Sequence, residues 1–215
     1  MDVRLQAPFS LLCCGPSGCG KTQWTKKLLE NSLNVMSHQP DRIAWCYAEW
    51  QDGYRELSEQ FPLIEFIEGI PSNVFDMFDP KMNNMIIIDD LMAEAAGDKK
   101  IANLFTKGSH HRNLSVIFIL QNLFYQGKES RTISLNSHYI VLFKNPRDRS
   151  QIVHLAKQMF PGNVKYLQES YTDATSKPYG YLFLDFKTNC PDDMRVRTNI
   201  FPDEKPHYVY LAKTK

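Results

Sequence analysis

The sequence predicts an α/β fold in three layers, a mostly parallel central sheet between two layers of helices. Three observations predict it. Short apolar runs of strand length alternate along the chain with helix-like segments, the pattern of βα units. One such run, residues 9–14, leads through a glycine-rich turn directly into a helix-like stretch. Another, residues 85–89, is apolar until it ends in carboxylates, as expected of a strand buried on both faces whose tip reaches the ligand edge of an open sheet.

In chain order, the run 9–14 reads as a buried strand in which the neighbours Cys13 and Cys14 point to opposite faces. The turn that follows is Gly15-Pro16-Ser17-Gly18-Cys19-Gly20-Lys21-Thr22, a complete G-x-x-x-x-G-K-T phosphate-binding loop. Its glycines let successive N–H groups point into one nest at the positive end of the following helix, 21–31. Lys21 is placed for the β- and γ-phosphates and the Thr22 hydroxyl for Mg2+, so the expected ligand is a nucleoside triphosphate with Mg2+. A glycine-rich turn that binds nothing is the plainer alternative, and the intact Lys-Thr pair between strand and helix speaks against it. The fold expected is therefore a P-loop NTPase.

Strands are expected next over 42–47 and 64–67, with a helix over 51–60 between them. Residues 70–84, rich in Pro, Asn and Asp, read as irregular or as a short helix with loops. The strand 85–89 ends in Asp89 and Asp90, 68 positions after Lys21. Asp89 is expected to hold Mg2+ opposite Thr22, and Asp90 to orient and deprotonate the attacking water. A helix over 99–108 precedes a buried strand over 115–120, tipped by Gln121 and Asn122. An amide between the phosphate loop and the acidic strand can sense the γ-phosphate. Gln121 is the first choice and Asn122 the second, against the plainer role of capping the strand end. With that strand between loop and acids, the sheet is of the additional-strand type.

Arg112, just upstream, is the candidate arginine finger, with Arg131, Arg147 and Arg149 as rivals. His110 and His111 have no partner at metal-ligand spacing. Further strands are expected over 138–143, 179–186 and, more weakly, 195–201. Helices are expected over 147–159, with Pro146 at its start and Pro161 past its end, and over 164–171. Residues 161–215 are expected to be a C-terminal extension packed on a core of about residues 5–160, one domain in all, with 189–215 and its three prolines an edge extension across it.

Composition agrees with this. Hydrophobic residues make up 43%, enough for a sizeable core, and no apolar run approaches the roughly 20 residues of a membrane span. No secretion signal is read at the N-terminus, and five unpatterned cysteines point to a reducing intracellular compartment, cytoplasm or nucleus. Net charge is +1, but residues 1–98 carry −8, 99–149 carry +7 and 150–215 carry +2. A basic middle segment suits phosphate contacts, from a neighbouring subunit's ATP or a nucleic-acid backbone, although a solvated surface is the better explanation of any single lysine. Lys99, Lys100, Lys107 and Lys128 are the candidates for a DNA face.

In this order of loop, acidic strand, glutamine-tipped strand and upstream arginine, the chain resembles the FtsK–HerA superfamily of DNA-pumping ATPases. More narrowly, it is similar to the genome-packaging ATPases of poxvirus-type and Polinton-like double-stranded DNA viruses. The similar stretches are residues 15–22, 86–92, 104–124 and 130–148. The resemblance implies a ring, pentamer or hexamer, that hydrolyses ATP and drives viral double-stranded DNA into a capsid. Partners would be DNA, capsid or portal proteins and further copies of the chain, with no membrane. By position it assigns Lys21 and Thr22 to phosphate and magnesium, Asp89 to the metal, Asp90 to the catalytic acid, Gln121 to the sensor and Arg112 to a finger acting across subunits. Asp90 departs from the glutamate commoner there, and no appended nuclease domain is expected. Two other classes remain open: a P-loop kinase of a small molecule, and a nucleotide-gated module that binds capsid and turns over little.

Overall fold

The structure, a computed structural model, describes residues 2–91, 99–108, 112–124 and 128–213, with the side chains of 107, 108 and 128 outside the description. Its strands are β1 (Ser10–Cys14), β2 (Arg42–Tyr47), β3 (Ile64–Glu68), β4 (Asn84–Asp89), β5 (Leu114–Leu120), β6 (Tyr139–Phe143), β7 (Tyr181–Asp185), β8 (Val196–Thr198) and β9 (Tyr208–Val209). Among the described residues they form one sheet in the order β3-β2-β4-β5-β1-β6-β7-β8-β9. Every pairing from β3 to β6 is parallel, and β7, β8 and β9 add on antiparallel. The mixed α/β fold with a mostly parallel sheet is the one expected, and β5 lies between β1 and β4 as the additional-strand arrangement requires.

The layers follow from pleating. Alternate residues of a strand face opposite sides. Leu11, Cys13, Trp45, Ile87 and Ile117 point to one face, where α1 (Lys21–Glu30), α2 (Ser32–Val35) and α3 (Asp52–Gln60) pack through Trp24, Leu28, Val35, Tyr54 and Leu57. Leu12, Cys14, Ile88 and Phe118 point to the other. There α4 (Lys99–Asn103), α5 (Lys128–Leu135), α6 (Ser150–Met159) and α7 (Val164–Ala174) contribute Ile101, Ile133, Ile152, Leu155 and Leu167. β1, β4, β5 and β6 are buried along their whole length, which is why they read as unbroken apolar runs.

Some boundaries differ from expectation for local physical reasons. The helix expected over 147–159 begins at Ser150, because Asn145 Oδ1 accepts from the N–H groups of Arg147 (3.1 Å) and Asp148 (3.2 Å) and holds a turn. Asp148 Oδ1 then accepts the Ser150 N–H at 3.0 Å, so Pro146 precedes that turn rather than starting the helix. The helix expected over 99–108 is α-helical only through Asn103 and continues as a π-helical turn, Leu104–Gly108. α7 runs on to Ala174, past the expected end at 171. The strands expected over 179–186 and 195–201 are cut short by Tyr179 (φ 62) and Asn199 (φ 55), which leave the extended region. α2, α5 and β9 lie where no helix or strand was expected.

This topology sets the working edge. The C-terminal tips of β1, β4, β5 and β6 share one edge, and β7 enters there with Tyr181 opposite Phe143. The C-terminal extension closes over α1. Phe201 packs on Trp24 with ring centroids 5.4 Å apart, and Lys27 pairs with Asp203 and Glu204, each at 2.9 Å.

Candidate functional site

The loop between β1 and α1 is shaped by what its glycines permit. The Gly15 N–H donates to the Leu120 carbonyl at 3.1 Å, carrying the β1–β5 ladder into the loop. A Cβ on Gly15 would lie 2.7 Å from Phe143 Cβ and 2.6 Å from Cys19 Sγ, closer than real Cβ contacts, so only glycine lets β6 approach here. Gly18 (φ 76) and Gly20 (φ 102) are left-handed, and the Trp24 N–H bonds the Gly20 carbonyl at 2.8 Å to open α1. α1 has no side-chain N-cap and no acid in its first turn. Its leading N–H groups and dipole therefore favour an anion rather than one of the chain's own carboxylates.

Lys21 begins α1, and its Nζ donates to the carbonyls of Gly15 (2.7 Å) and Pro16 (3.0 Å), folding the ammonium over the loop. Thr22 is half-buried in the first turn. Pro16, Ser17 and Cys19 complete the loop, and burial pushes the Cys19 thiol above its ordinary value.

Asp89 and Asp90 are neighbours in opposite environments. Asp89 ends β4 and is 3% exposed, and the Tyr54 hydroxyl on α3 donates to its Oδ2 at 2.8 Å. Burial holds the Asp89 carboxyl above the usual range; the Tyr54 hydrogen bond pulls it down, the Asp90 charge pushes it up, and Lys21 pulls it down again. Asp90 turns left-handed (φ 55), which aspartate tolerates better than bulky residues, and reaches solvent. Gln121, one residue past β5, donates through Nε2 to both Asp90 oxygens at 3.1 and 3.2 Å. Asn122 goes elsewhere: its Oδ1 accepts from Gln151 on α6 at 3.2 Å. The two amides thus separate, Gln121 to the acid and Asn122 to the helix.

The donor set suits Mg2+, a hard cation that takes oxygen ligands from one or two protein groups and substrate phosphates. Thr22 and Asp89 would hold it, with Lys21 supplying the compensating charge. Gln121 lines up Asp90 at the adjacent strand tip.

Arg112 is not brought to this chain's own loop. It precedes β5 at the opposite edge of the sheet, where its guanidinium lies 3.5 Å from Asp76. About 20 Å of strand separates the two ends of β5 at roughly 3.3 Å per residue. Arg147 and Arg149, exposed between β6 and α6, share the edge with the loop, and Arg131 is exposed on α5. Lys99 and Lys100 are exposed on α4; His110 and His111 lie outside the described residues, as do the side chains of Lys107 and Lys128.

Two tyrosines that sequence reading gave no role stand at this site. Tyr54 touches Asp89 across 35 positions of sequence, with no motif to announce it. Tyr179, expected inside a strand, instead rests on the loop: a Cβ on Gly20 would be 3.1 Å from its Cδ1. The Pro178-Tyr179-Gly180 run was the available signal for a turn.

No family model matches the chain, and no curated protein matches it by sequence. Solved structures do match by shape. The genome packaging NTPase B204 from Sulfolobus turreted icosahedral virus 2, in complex with sulfate, superposes with a TM-score of 0.59 at 13% identity, over 92% of this chain and 96% of that one. The same protein in complex with AMPPCP gives 0.55 at 13% identity, over 83% and 92%. The cytoplasmic domain of the Thermomonospora curvata type VII secretion ATPase EccC gives 0.51 at 12% identity, over 85% of this chain and 24% of that one. At these identities the likeness is one of fold.

Proposed function

We propose that the chain is an ATP-hydrolysing motor that translocates viral double-stranded DNA into a capsid. The observation that carries this reading is the placement of the phosphate loop, the Gln121–Asp90 pair and the buried Asp89 on the adjacent tips of β1, β5 and β4. Lys21 would exchange the Gly15 and Pro16 carbonyls for phosphate oxygens as nucleotide enters. Thr22 and Asp89 would hold Mg2+, which would supply charge stabilisation at the transferring phosphoryl group. Asp90, oriented by Gln121, accepts a proton from the attacking water.

The motor assignment draws on further support. The fold is shared with a viral packaging NTPase over nearly the whole length of both chains. The 99–149 segment is basic. Arg112 stands at the sheet edge away from its own loop, beside Asp76, so any part it takes in phosphoryl transfer would be played at another subunit's nucleotide. On this reading the chain is of FtsK–HerA type and, more narrowly, of the poxvirus or Polinton-like kind. It assembles as a pentamer or hexamer, contacts DNA, and meets a capsid or portal protein inside the host cell.

The test is Mg2+-dependent release of phosphate from ATP by the purified protein, with and without duplex DNA, alongside light scattering for ring size. Stimulation by duplex DNA and a ring that forms or tightens with nucleotide are expected. Binding without turnover would instead mark a nucleotide-gated module, and transfer to a small molecule a kinase.

A further inference from the structure

We infer that Tyr179 is the platform on which the nucleobase stacks. This rests on reading the loop 15–22 as a nucleotide site. The sheet order gives a polyphosphate there a direction. The acids and Gln121 that would face the γ-phosphate sit on β4 and β5, to one side of β1, so the nucleoside end must leave toward the other side, over β6 and β7. Tyr179 stands there, two residues before β7, in the loop that the Phe143–Tyr181 register carries to the working edge. Its ring lies against Gly20, the last glycine before the lysine: a Cβ built there would sit 3.1 Å from Cδ1 and 3.7 Å from Cγ.

The ring is held out rather than packed in. Tyr179 is 72% exposed, the most exposed large hydrophobic side chain among the described residues. Its φ of 62 lies in the left-handed region, which a bulky residue adopts only when its surroundings impose it. The imposing contacts are visible. The Gly180 N–H donates to the Lys177 carbonyl at 3.1 Å, and a Cβ on Gly180 would meet the Ala174 carbonyl at 2.4 Å, so the turn is clamped against the end of α7. The ring is thus kept next to the phosphate loop. Tyr179 also borders a cavity of about 330 Å³ lined by Asp173, Lys177 and Tyr208, among others, though by no residue of the loop itself. Stacking reads the face of a base rather than its edge, and every base has such a face, so the platform by itself does not select among nucleotides.

The test compares two probes, Mg2+-AMPPCP and Mg2+-tripolyphosphate, which lacks a base. Tyr179→Gly removes the ring and suits the left-handed backbone, so the fold is kept. It should weaken AMPPCP binding about 5- to 150-fold, the range for losing one base–aromatic stack, and leave tripolyphosphate unchanged. Tyr179→Trp should retain AMPPCP binding. Undiminished AMPPCP binding in Tyr179→Gly, or a parallel loss of both probes, overturns the platform. Lys21→Ala separates the underlying reading: it should weaken both probes, and if it weakens neither, the nucleotide site fails and the platform with it.

Discussion

The parallel and antiparallel halves of the sheet use polar residues in opposite ways. In the parallel half, Lys21, Asp89, Asp90 and Gln121 gather at strand tips, and their partners are carbonyls, one hydroxyl and one another. In the antiparallel half the charges are spent on structure. Arg197 on β8 pairs with Asp185 on β7 at 3.1 Å, both side chains about nine-tenths buried. Its guanidinium lies 4.9 Å over the Phe183 ring and donates to the Val3 carbonyl at 2.9 Å. The lesson is that charge alone does not mark a site: the buried ion pair here ties the N-terminal segment to the sheet, while the candidate chemistry sits among groups whose partners can be exchanged.

Substitutions break or sharpen that contrast. The largest effect is expected from Arg112→Ala. As a trans-acting finger, its loss should cut ATP turnover about 10³-fold or more with nucleotide binding and melting temperature kept, since its pair with Asp76 is exposed and worth about 1 kcal/mol at most. Mixed rings should lose activity faster than the mutant fraction rises; strict proportionality would make the arginine a surface residue. Arg197→Ala should do the reverse. Leaving Asp185 buried and unpaired should cost roughly 3–5 kcal/mol, read in denaturant titration, with turnover per folded molecule unchanged.

Next comes Tyr54→Phe. It deletes the hydroxyl that positions Asp89 and should weaken Mg2+ affinity roughly 10- to 100-fold, the usual cost of losing an outer-shell partner. Calorimetric Mg2+ titration of the nucleotide-bound protein reads this, and an unchanged affinity would reduce Tyr54 to core packing. Lys27→Met should be smallest. Its pairs with Asp203 and Glu204 are partly exposed, so about 1 kcal/mol or less is expected in denaturant titration; a larger loss would mean that the extension is a main support of α1.

The same division explains what could be read before the structure. β1, β2, β4, β5 and β6 were legible to within a residue, because a strand covered on both faces must be apolar throughout. The loop was legible because phosphate binding fixes residue types at fixed spacing, and Asp89, Asp90 and Gln121 because they end those strands. The antiparallel side was blurred. Positive φ at Tyr179 and Asn199 bounds β7 and β8, and its signals, the Pro178-Tyr179-Gly180 run and the asparagine itself, are faint beside the apolar runs around them; in the parallel half, α5 has only Ile133 firmly buried among its described side chains. Tyr54 and Tyr179 stayed hidden for a different reason. Each acts through contact with a residue far off in the chain, and contacts of that kind leave no spacing to find.

Gly15 carries one last consequence. Between Phe143 and Cys19 there is no room for a single methyl group, so the seam joining β1, β6 and the loop has no adjustable shim. Variation at that position is closed, and so is fine-tuning of where the phosphates sit relative to β6. Drift in such a protein can retune grip, partners and stability from the rim, but the anchorage of the loop must be inherited unchanged.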